Sequence, residues 1–92
     1  MKIEITHKRV PVGNDITVRV NAEGKERISS VQTKLDRFTI GKDTLNPPNI
    51  SYEQVFPKKG SASPGKRHTV AVKVRDKEGN DHVATHKWTD IG

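Results

Sequence analysis

The bias among the apolar residues is the feature that most restricts what this chain can fold into. Ile and Val together number 17, whereas Leu and Met together number three, and eight Thr accompany them. β-Branched side chains lose rotamer freedom in a helix and pack well on the pleated surface of a sheet. The apolar residues therefore predict an all-β fold.

Alternation of apolar and polar residues locates the strands. It is strongest in Arg67–Arg75, where Val70, Val72 and Val74 line one face, and it is clear in Asp15–Ala22. Such a period of two is typical of strands with one buried face. Lys2–Lys8, Ile50–Phe56 and Asp81–Thr89 are predicted as further strands. The residues expected in the core are Ile16, Val18, Val20, Val31, Leu35, Val70, Val72 and Val74.

Arg27–Asp36 has two interpretations. Ile28, Val31 and Leu35 have the spacing of a helix face, but residues 31, 33 and 35 also alternate as in a strand. Ser, Val and Thr are mediocre helix formers, and no Gly follows promptly to end a helix. We favour a strand and keep the helix as the alternative.

Two segments rich in Gly and Pro are predicted to be long loops. Gly41–Asn49 contains Pro47-Pro48, and Pro57–Gly65 contains two further prolines with Gly and Ser. The remaining segments make six or seven short strands, a number typical of a sandwich or small barrel. A chain of 92 residues has room for one core, so residues 1–92 are expected to form a single domain.

Several short motifs follow one another in a recognisable order. They are Ile16–Ala22 with Gly24, Ile28–Val31 with Leu35-Asp36, Pro64–Asp76, and Asp76–Asn80 leading to Val83-Ala84. This order resembles bacterial immunoglobulin-like domains, in which a second strand ends in Ala or Ser-x-Gly and a third begins Ile-x-x-Val and ends in an Asp turn. The resemblance implies an immunoglobulin-like antiparallel β-sandwich of six or seven strands. The chain departs from the antibody pattern, because it has no Cys pair and its one Trp, Trp88, is in the last strand.

The same resemblance implies a role without catalysis. Members of this group are mostly spacers, adhesin-type modules or accessory domains of larger bacterial assemblies. We therefore expect a binding or structural module with a protein, a glycan or another anionic polymer as partner. The alternative is a small basic nucleic-acid-binding protein.

The charge of the chain points to an anionic partner. The formal net charge is +6, and a positive balance of this size speeds association with anions. The loop Pro57–Arg67 contains four cations and no acidic residue, and loops at the end of a sandwich often carry recognition. The candidate binding residues are Lys58, Lys59, Lys66 and Arg67, with Trp88 as a possible anchor. The alternative is a solvated loop that binds nothing.

Nucleic acid as partner would need exposed aromatic rings for base stacking as well as cations. The chain has four aromatic residues other than His, and none lies in a recognised nucleic-acid-binding motif. They are Phe38, Tyr52, Phe56 and Trp88.

Residues for catalysis are scarce. Without Cys the chain has no thiol nucleophile and no thiolate zinc site. Ser61 and Ser63 lie in the Gly- and Pro-rich loop, and no Gly-x-Ser-x-Gly motif accompanies them. We therefore expect no enzymatic activity and no cofactor.

The histidines do not predict a metal site. On one strand, His82 and His86 share a face but lie about 13 Å apart, too far to share an ion. His68, on a neighbouring strand, could join one of them, but two imidazoles without a clear third ligand make a poor site. All four are interpreted as ordinary histidines on strand faces and ends.

The acidic turn after the predicted strand Arg67–Arg75 is also interpreted without a metal ion. Asp76, Glu78, Asn80 and Asp81 surround Gly79 and offer oxygen atoms, but calcium needs six to eight of them. Asp and Asn side chains in turns commonly accept hydrogen bonds from their own backbone. We expect a hairpin turn here and no metal.

The sequence leaves the compartment open. No apolar run approaches the roughly 20 residues of a membrane span, so we expect no insertion into a membrane. No signal peptide is recognisable, because Ile3 and Ile5 already alternate with polar residues. The expectation is export or the cell surface if the chain is part of a larger protein, and the cytoplasm if it is full-length.

Overall fold

Seven strands make up the fold in a computed structural model, which describes residues 1–60 and 64–90. They are β1 (Lys2–Val10), β2 (Gly13–Asn21), β3 (Ile28–Leu35), β4 (Phe38–Asn49), β5 (Ser51–Lys59), β6 (Arg67–Asp76) and β7 (Asp81–Thr89). These described ranges contain no helix, and so none that could cross a membrane. The strand interpretation of the ambiguous third segment is confirmed, and its helical alternative is wrong.

The strands form two antiparallel sheets. One sheet has the order β1-β2-β5, and the other has the order β4-β3-β6-β7. The chain crosses between the sheets after β2, β4 and β5, as in Greek-key sandwiches. The predicted immunoglobulin-like β-sandwich, with seven strands, is confirmed.

The core lies between the two sheets and is formed mainly by β2, β3 and β6. All eight residues predicted for the core are buried, and Ile28 and Phe56 join them. Alternation identifies this set because successive side chains of a strand point to opposite faces of the sheet. Removing these apolar surfaces from water supplies the main force that holds the sheets together.

A β-bulge explains the helical spacing in β3. Its pairing shifts between Ile28 and Ser30 on both of its neighbours, β4 and β6. A bulge places two residues of one strand opposite one residue of its partner. Ile28 and Val31 therefore both face the core although they are three residues apart.

The prediction of a loop over Gly41–Asn49 is wrong, because these residues belong to β4. β4 is an edge strand that pairs only with β3, so half of its backbone groups need no strand partner. Proline is tolerated in such strands because the missing N–H can face solvent or fall in a bulge. Pro47 and Pro48 lie between the pairs Thr44–Ser30 and Asn49–Ile28, opposite the bulge of β3.

The predicted loop that starts at Pro57 begins too early, because β5 continues to Lys59. β5 is also an edge strand, and its pairing with β2 jumps from Phe56–Ile16 to Lys59–Asn14. Pro57 lies in that irregular step and so breaks no regular pair. Of the predicted loop, residues 61–63 lie outside the described residues.

Gly41 allows β4 to approach the core closely. A Cβ atom at this position would lie 2.6 Å from Cε1 of the Phe56 ring. No side chain fits at that distance without moving the buried ring. A glycine that suggests a loop in the sequence is therefore needed here by packing inside a strand.

Val72→Asp is expected to unfold the protein, because Val72 is 0% exposed at the centre of β6. The cost of an unpaired buried carboxylate is comparable to the whole free energy of unfolding of a small domain, which is ~5–15 kcal/mol. Far-UV circular dichroism and a denaturant titration measure the loss. The control is Val83→Asp, since Val83 is 65% exposed on β7 and should lose no more than about 1 kcal/mol. Equal stability of the two variants would contradict the assignment of the buried face.

Candidate functional site

A cleft of about 920 Å³ opens at the end of the sandwich where β3 ends and β6 begins. Its walls come from the β3–β4 hairpin, the end of β5, the start of β6 and the end of β7. The residues that line it are Lys34, Leu35, Asp36, Arg37, Phe38, Ile40, Lys59, Gly60, Lys66, Arg67, Thr69, Ala71 and Lys87. We refer to this site as the basic cleft.

The basic cleft is strongly positive. Six of its lining residues are Lys or Arg, whereas Asp36 is the one acidic residue among them. The oxygens of Asp36 are already engaged: Oδ2 lies 2.7 Å from Nδ1 of His68, and Oδ1 accepts the backbone N–H of Thr69. Because its carboxylate is neutralised by these partners, the field at the mouth of the cleft favours anions.

An apolar surface accompanies the cations. Phe38, the first residue of β4, is 76% exposed although its side chain is large and apolar. Ile40 and Ala71 extend this surface. An exposed ring beside cations can stack on a flat group of a ligand while the cations bind its charge.

A strained turn places Arg37 in the cleft. The β3–β4 hairpin turns through Asp36 and Arg37, with φ of +48° and +77°, and Leu35 pairs directly with Phe38. A two-residue turn with both φ values positive matches the twist of the strands, but it normally uses Asn and Gly. Arg at such a position costs roughly 1–2 kcal/mol relative to Gly. Backbone strain of this kind is concentrated at functional sites.

A buried ion triad lies directly behind this turn. His68 is fully buried, and its Nδ1 and Nε2 atoms lie 2.7 Å and 2.9 Å from carboxylate oxygens of Asp36 and Asp90. Carboxylates only accept hydrogen bonds, so both ring nitrogens must carry a proton. His68 is therefore an imidazolium ion that joins the β3–β4 turn to the end of the chain.

The titration of the triad follows from this arrangement. Burial alone would lower the pKa of His68, but the hydrogen bonds and charges of Asp36 and Asp90 outweigh it and raise the pKa. Burial alone would raise the pKa of Asp90, but hydrogen bonds from His68, Asn14 and Trp88 hold it below its usual value. Each ion thus stabilises the charged form of the other.

Trp88 packs over the triad on the side of β1. Its ring stacks on His7 at a centroid distance of 4.3 Å, with His68 at 5.2 Å and His86 at 5.5 Å. Its indole N–H donates to Asp90. A cation this close to the face of Trp is attracted by the ring, so Trp88 stabilises the protonated His68.

His7 and His86 join the two sheets at their edges. Nδ1 of His7, on β1, lies 2.8 Å from Nε2 of His86, on β7. A hydrogen bond at this distance needs one nitrogen to be unprotonated. Burial and the neighbouring charge of His86 lower the pKa of His7.

The triad is placed to support the site, not to react. Catalysis requires a base that can reach a substrate, and the His68 ring has no exposed surface. The backbone of Asp90 also bonds to Gly65 and Lys66 at distances of 2.7 Å and 2.8 Å. These bonds fix the start of β6, from which Lys66 and Arg67 enter the cleft.

The structure brings together three of the five predicted binding residues. Lys59, Lys66 and Arg67 line the basic cleft. Lys58 does not line it; its backbone N–H bonds to Asp15 at a φ of +55°. Trp88 is half-buried against the core and the histidines.

Sequence reasoning missed the other half of the cleft. Lys34, Arg37 and Lys87 reach it from β3, the hairpin and β7, which are distant in sequence. The motif Leu-Asp-Arg-Phe between two strands is the one local signal, since it marks a two-residue hairpin with a cation in the turn. The pairing of His68 with two carboxylates has no local signal at all.

The predicted hairpin turn at Asp76 is confirmed. Its Oδ1 atom accepts the backbone N–H groups of Glu78 and Asn80 at 2.9 Å and 3.0 Å. Its Oδ2 atom lies 3.0 Å from Nε2 of His82. Asp76 thus accepts the hydrogen bonds of backbone N–H groups in its own turn with one carboxylate oxygen and contacts the His82 side chain with the other.

Comparison with known proteins identifies the fold. No protein-family model and no curated protein sequence matches the chain. Among solved structures, fibronectin(III)-like modules of Clostridium thermocellum CbhA are similar, with 23% sequence identity and a TM-score of 0.57. The match covers 98% of this chain and 97% of that one. The similarity is one of fold, and it supports the assignment of an immunoglobulin-like β-sandwich.

Stability is expected to pass through a maximum near pH 6.5. The pKa of His68 is raised on folding, so its contribution is complete below ~6.5 and is lost as the pH rises through the folded value. The pKa of His7 is lowered, so its contribution is complete above ~6.5 and is lost as the pH falls through the folded value. Calorimetry from about pH 5 to pH 8.5 measures this dependence. In His7→Gln, the fall in stability below the maximum should become smaller, whereas the fall above the maximum should remain. Disappearance of the fall above the maximum in this variant would contradict the assignment.

Arg37→Gly is expected to stabilise the protein while it lowers the positive charge of the basic cleft. Relief of the positive φ, less the extra freedom of Gly in the unfolded chain, should raise the free energy of unfolding by ~0.5–1 kcal/mol. For a domain of this size the Tm would rise by about 2–8 °C. Arg37→Ala is the matched control, because it removes the same charge and keeps the strain. If both variants melt alike, the turn is not strained at Arg37.

Proposed function

We propose that this chain is a non-catalytic binding module of a larger assembly and that its basic cleft holds an anionic polymer. One observation carries the proposal: six cations from five separate parts of the chain converge on one cleft, and its single carboxylate is neutralised from behind. A merely soluble surface intersperses charges of both signs instead. The function is recognition, and residues 1–92 act as one module.

The chemistry of the cleft fits a polymer with repeated negative charges. Lys and Arg bind sulfate, carboxylate or phosphate groups, and Arg does so with two parallel hydrogen bonds. A polyanion that contacts several cations releases its condensed counterions, which adds affinity at low salt. An acidic polysaccharide offers such charges at a regular spacing along a chain that can lie in the open cleft.

The construction of the site also supports binding. Its cations are carried by strands and by turns that the buried triad holds, so little backbone entropy is lost when a partner is bound. Strands β3, β4, β5, β6 and β7 supply part of the lining, and the connections at the end of the sandwich, where such folds often carry recognition, supply the rest. The module interpretation is supported by the similarity to solved structures that are themselves described as modules.

Single-stranded nucleic acid is the second candidate partner. The exposed ring of Phe38 at the edge of the cleft favours it, because a base can stack there while the cations bind the phosphates. Stacking on one aromatic side chain is worth roughly 1–3 kcal/mol per base. An acidic polysaccharide lacks flat bases and gains less from Phe38.

The double variant Lys59→Ser/Arg67→Ser tests the cleft with heparin as the probe. We expect affinity at low salt to fall at least about tenfold, because two of the six cations are removed. The dependence of affinity on salt should also become flatter. The Tm should change little, since neither side chain belongs to the core. Isothermal titration calorimetry at several salt concentrations measures both effects.

The matched control is Lys25→Ser/Lys77→Ser. It removes the same charge from exposed turns at the other end of the sandwich. Equal loss in both variants would show that only net charge matters and would refute the cleft as the site. Phe38→Ser, tested with an oligothymidylate and with heparin, separates the two candidate partners. Loss confined to the oligonucleotide would favour nucleic acid.

A further inference from the structure

A second group of functional side chains converges at the opposite end of the sandwich from the basic cleft. Nε2 of His82 lies 3.0 Å from Oδ2 of Asp76 and 3.4 Å from Oε2 of Glu26. One ligand atom from each of the three residues lies within 4.8 Å of the others. Asp76 is buried, while Glu26 and His82 are half-buried, so the group is reachable from solvent.

Three separate segments of the chain form this group. Asp76 ends β6, and His82 lies at the start of β7, on the other side of a short turn. Glu26 belongs to the β2–β3 connection, which the backbone hydrogen bond from Lys77 to Arg27 ties to the same turn. The convergence results from the fold, and the sequence alone does not show it.

The group is held in place before any ligand arrives. Oδ1 of Asp76 accepts two backbone N–H groups, which keeps Oδ2 directed towards His82. Oε1 of Glu26 is engaged by the amine of Met1 at 2.7 Å, which leaves Oε2 for the shared site. Second partners of this kind orient the ligands in metal sites.

One proton cannot satisfy this arrangement. A single Nε2–H can donate well to one carboxylate, yet two carboxylates approach the same nitrogen. Ligand atoms around one ion at ~2.1 Å lie about 3.0 Å apart in octahedral and about 3.4 Å apart in tetrahedral geometry. The 3.0 Å and 3.4 Å distances from Nε2 of His82 lie within this range, and the two carboxylate oxygens lie within 4.8 Å of each other, so small side-chain movements would bring all three atoms into either geometry.

We propose that Glu26, Asp76 and His82 form a binding site for a divalent cation of the zinc class. One imidazole nitrogen and two carboxylate oxygens are ligands that Zn²⁺ accepts, and water completes its coordination at the open side. Mg²⁺ and Ca²⁺ prefer all-oxygen sites with more ligands. The ion crosslinks the β2–β3 connection, β6 and β7, so binding stabilises this end of the sandwich. The proposal is independent of the basic cleft.

The competing site in this protein is the pair of His7 and His86. Their ring nitrogens, 2.8 Å apart, are also close enough to share an ion. That pair lacks a carboxylate ligand among the contacts of the described residues, whereas the proposed site has two. The histidine pair therefore provides the matched control.

The experiment titrates the untagged chain with ZnCl₂ by calorimetry and follows the Tm. One equivalent should bind, and saturating Zn²⁺ should raise the Tm by about 5 °C or more, whereas equal Mg²⁺ should not. His82→Gln should weaken binding at least tenfold, and Glu26→Gln about tenfold. His86→Gln should bind as the parent does.

Nuclear magnetic resonance of the parent protein gives a readout that does not depend on a variant's folding. In long-range ¹H–¹⁵N spectra, Nε2 of His82 should shift at one equivalent of Zn²⁺ while the His7 ring does not. Retained affinity in a folded His82→Gln variant would overturn the proposal. Loss of affinity in His86→Gln, an unshifted His82 ring, or no binding at all would overturn it equally.

Discussion

The buried ion triad of Asp36, His68 and Asp90 is the interaction on which the rest of this end of the molecule depends. A charged imidazole in a small core is stable only when both of its protons are taken by carboxylates. Asp36 fixes the hairpin that carries Arg37, and Asp90 fixes the start of β6. Removal of either carboxylate would leave one N–H of the buried His68 ring without its acceptor, and removal of His68 would take the cation from between Asp36 and Asp90. A change in the triad is therefore expected to affect both the core and the cleft.

The regular parts of the fold could be predicted from the sequence because they depend on local alternation. β6 and β7 begin and end within one residue of their predicted bounds, and the faces of β2 and β6 are those expected. The errors lie at sheet edges. Proline and glycine indicate loops only where the backbone needs partners on both sides, and Pro47, Pro48 and Pro57 lie in strands that have one neighbour. A single chain gives no local sign of which strand will be at an edge.

The candidate site could be predicted only in part, for a related reason. Lys59, Lys66 and Arg67 are close together in sequence, and reasoning from charge clusters finds them. Lys34, Arg37 and Lys87 join them through strand pairing across three elements, and the His68 partners are separated from it by 32 and 22 residues. Long-range contacts of this kind follow from topology, which alternation does not specify.

The prolines in the outer strands also decide where this protein can pair with another strand. β4 is an edge strand of the four-stranded sheet, and β5 is an edge strand of the three-stranded sheet. Their prolines interrupt the row of N–H groups that an added strand would need. β1 and β7, the opposite edges, contain no proline and lie side by side, joined through His7 and Trp88. Strand addition, whether by a partner or by misassembly between copies of the chain, is therefore favoured on this one side of the sandwich.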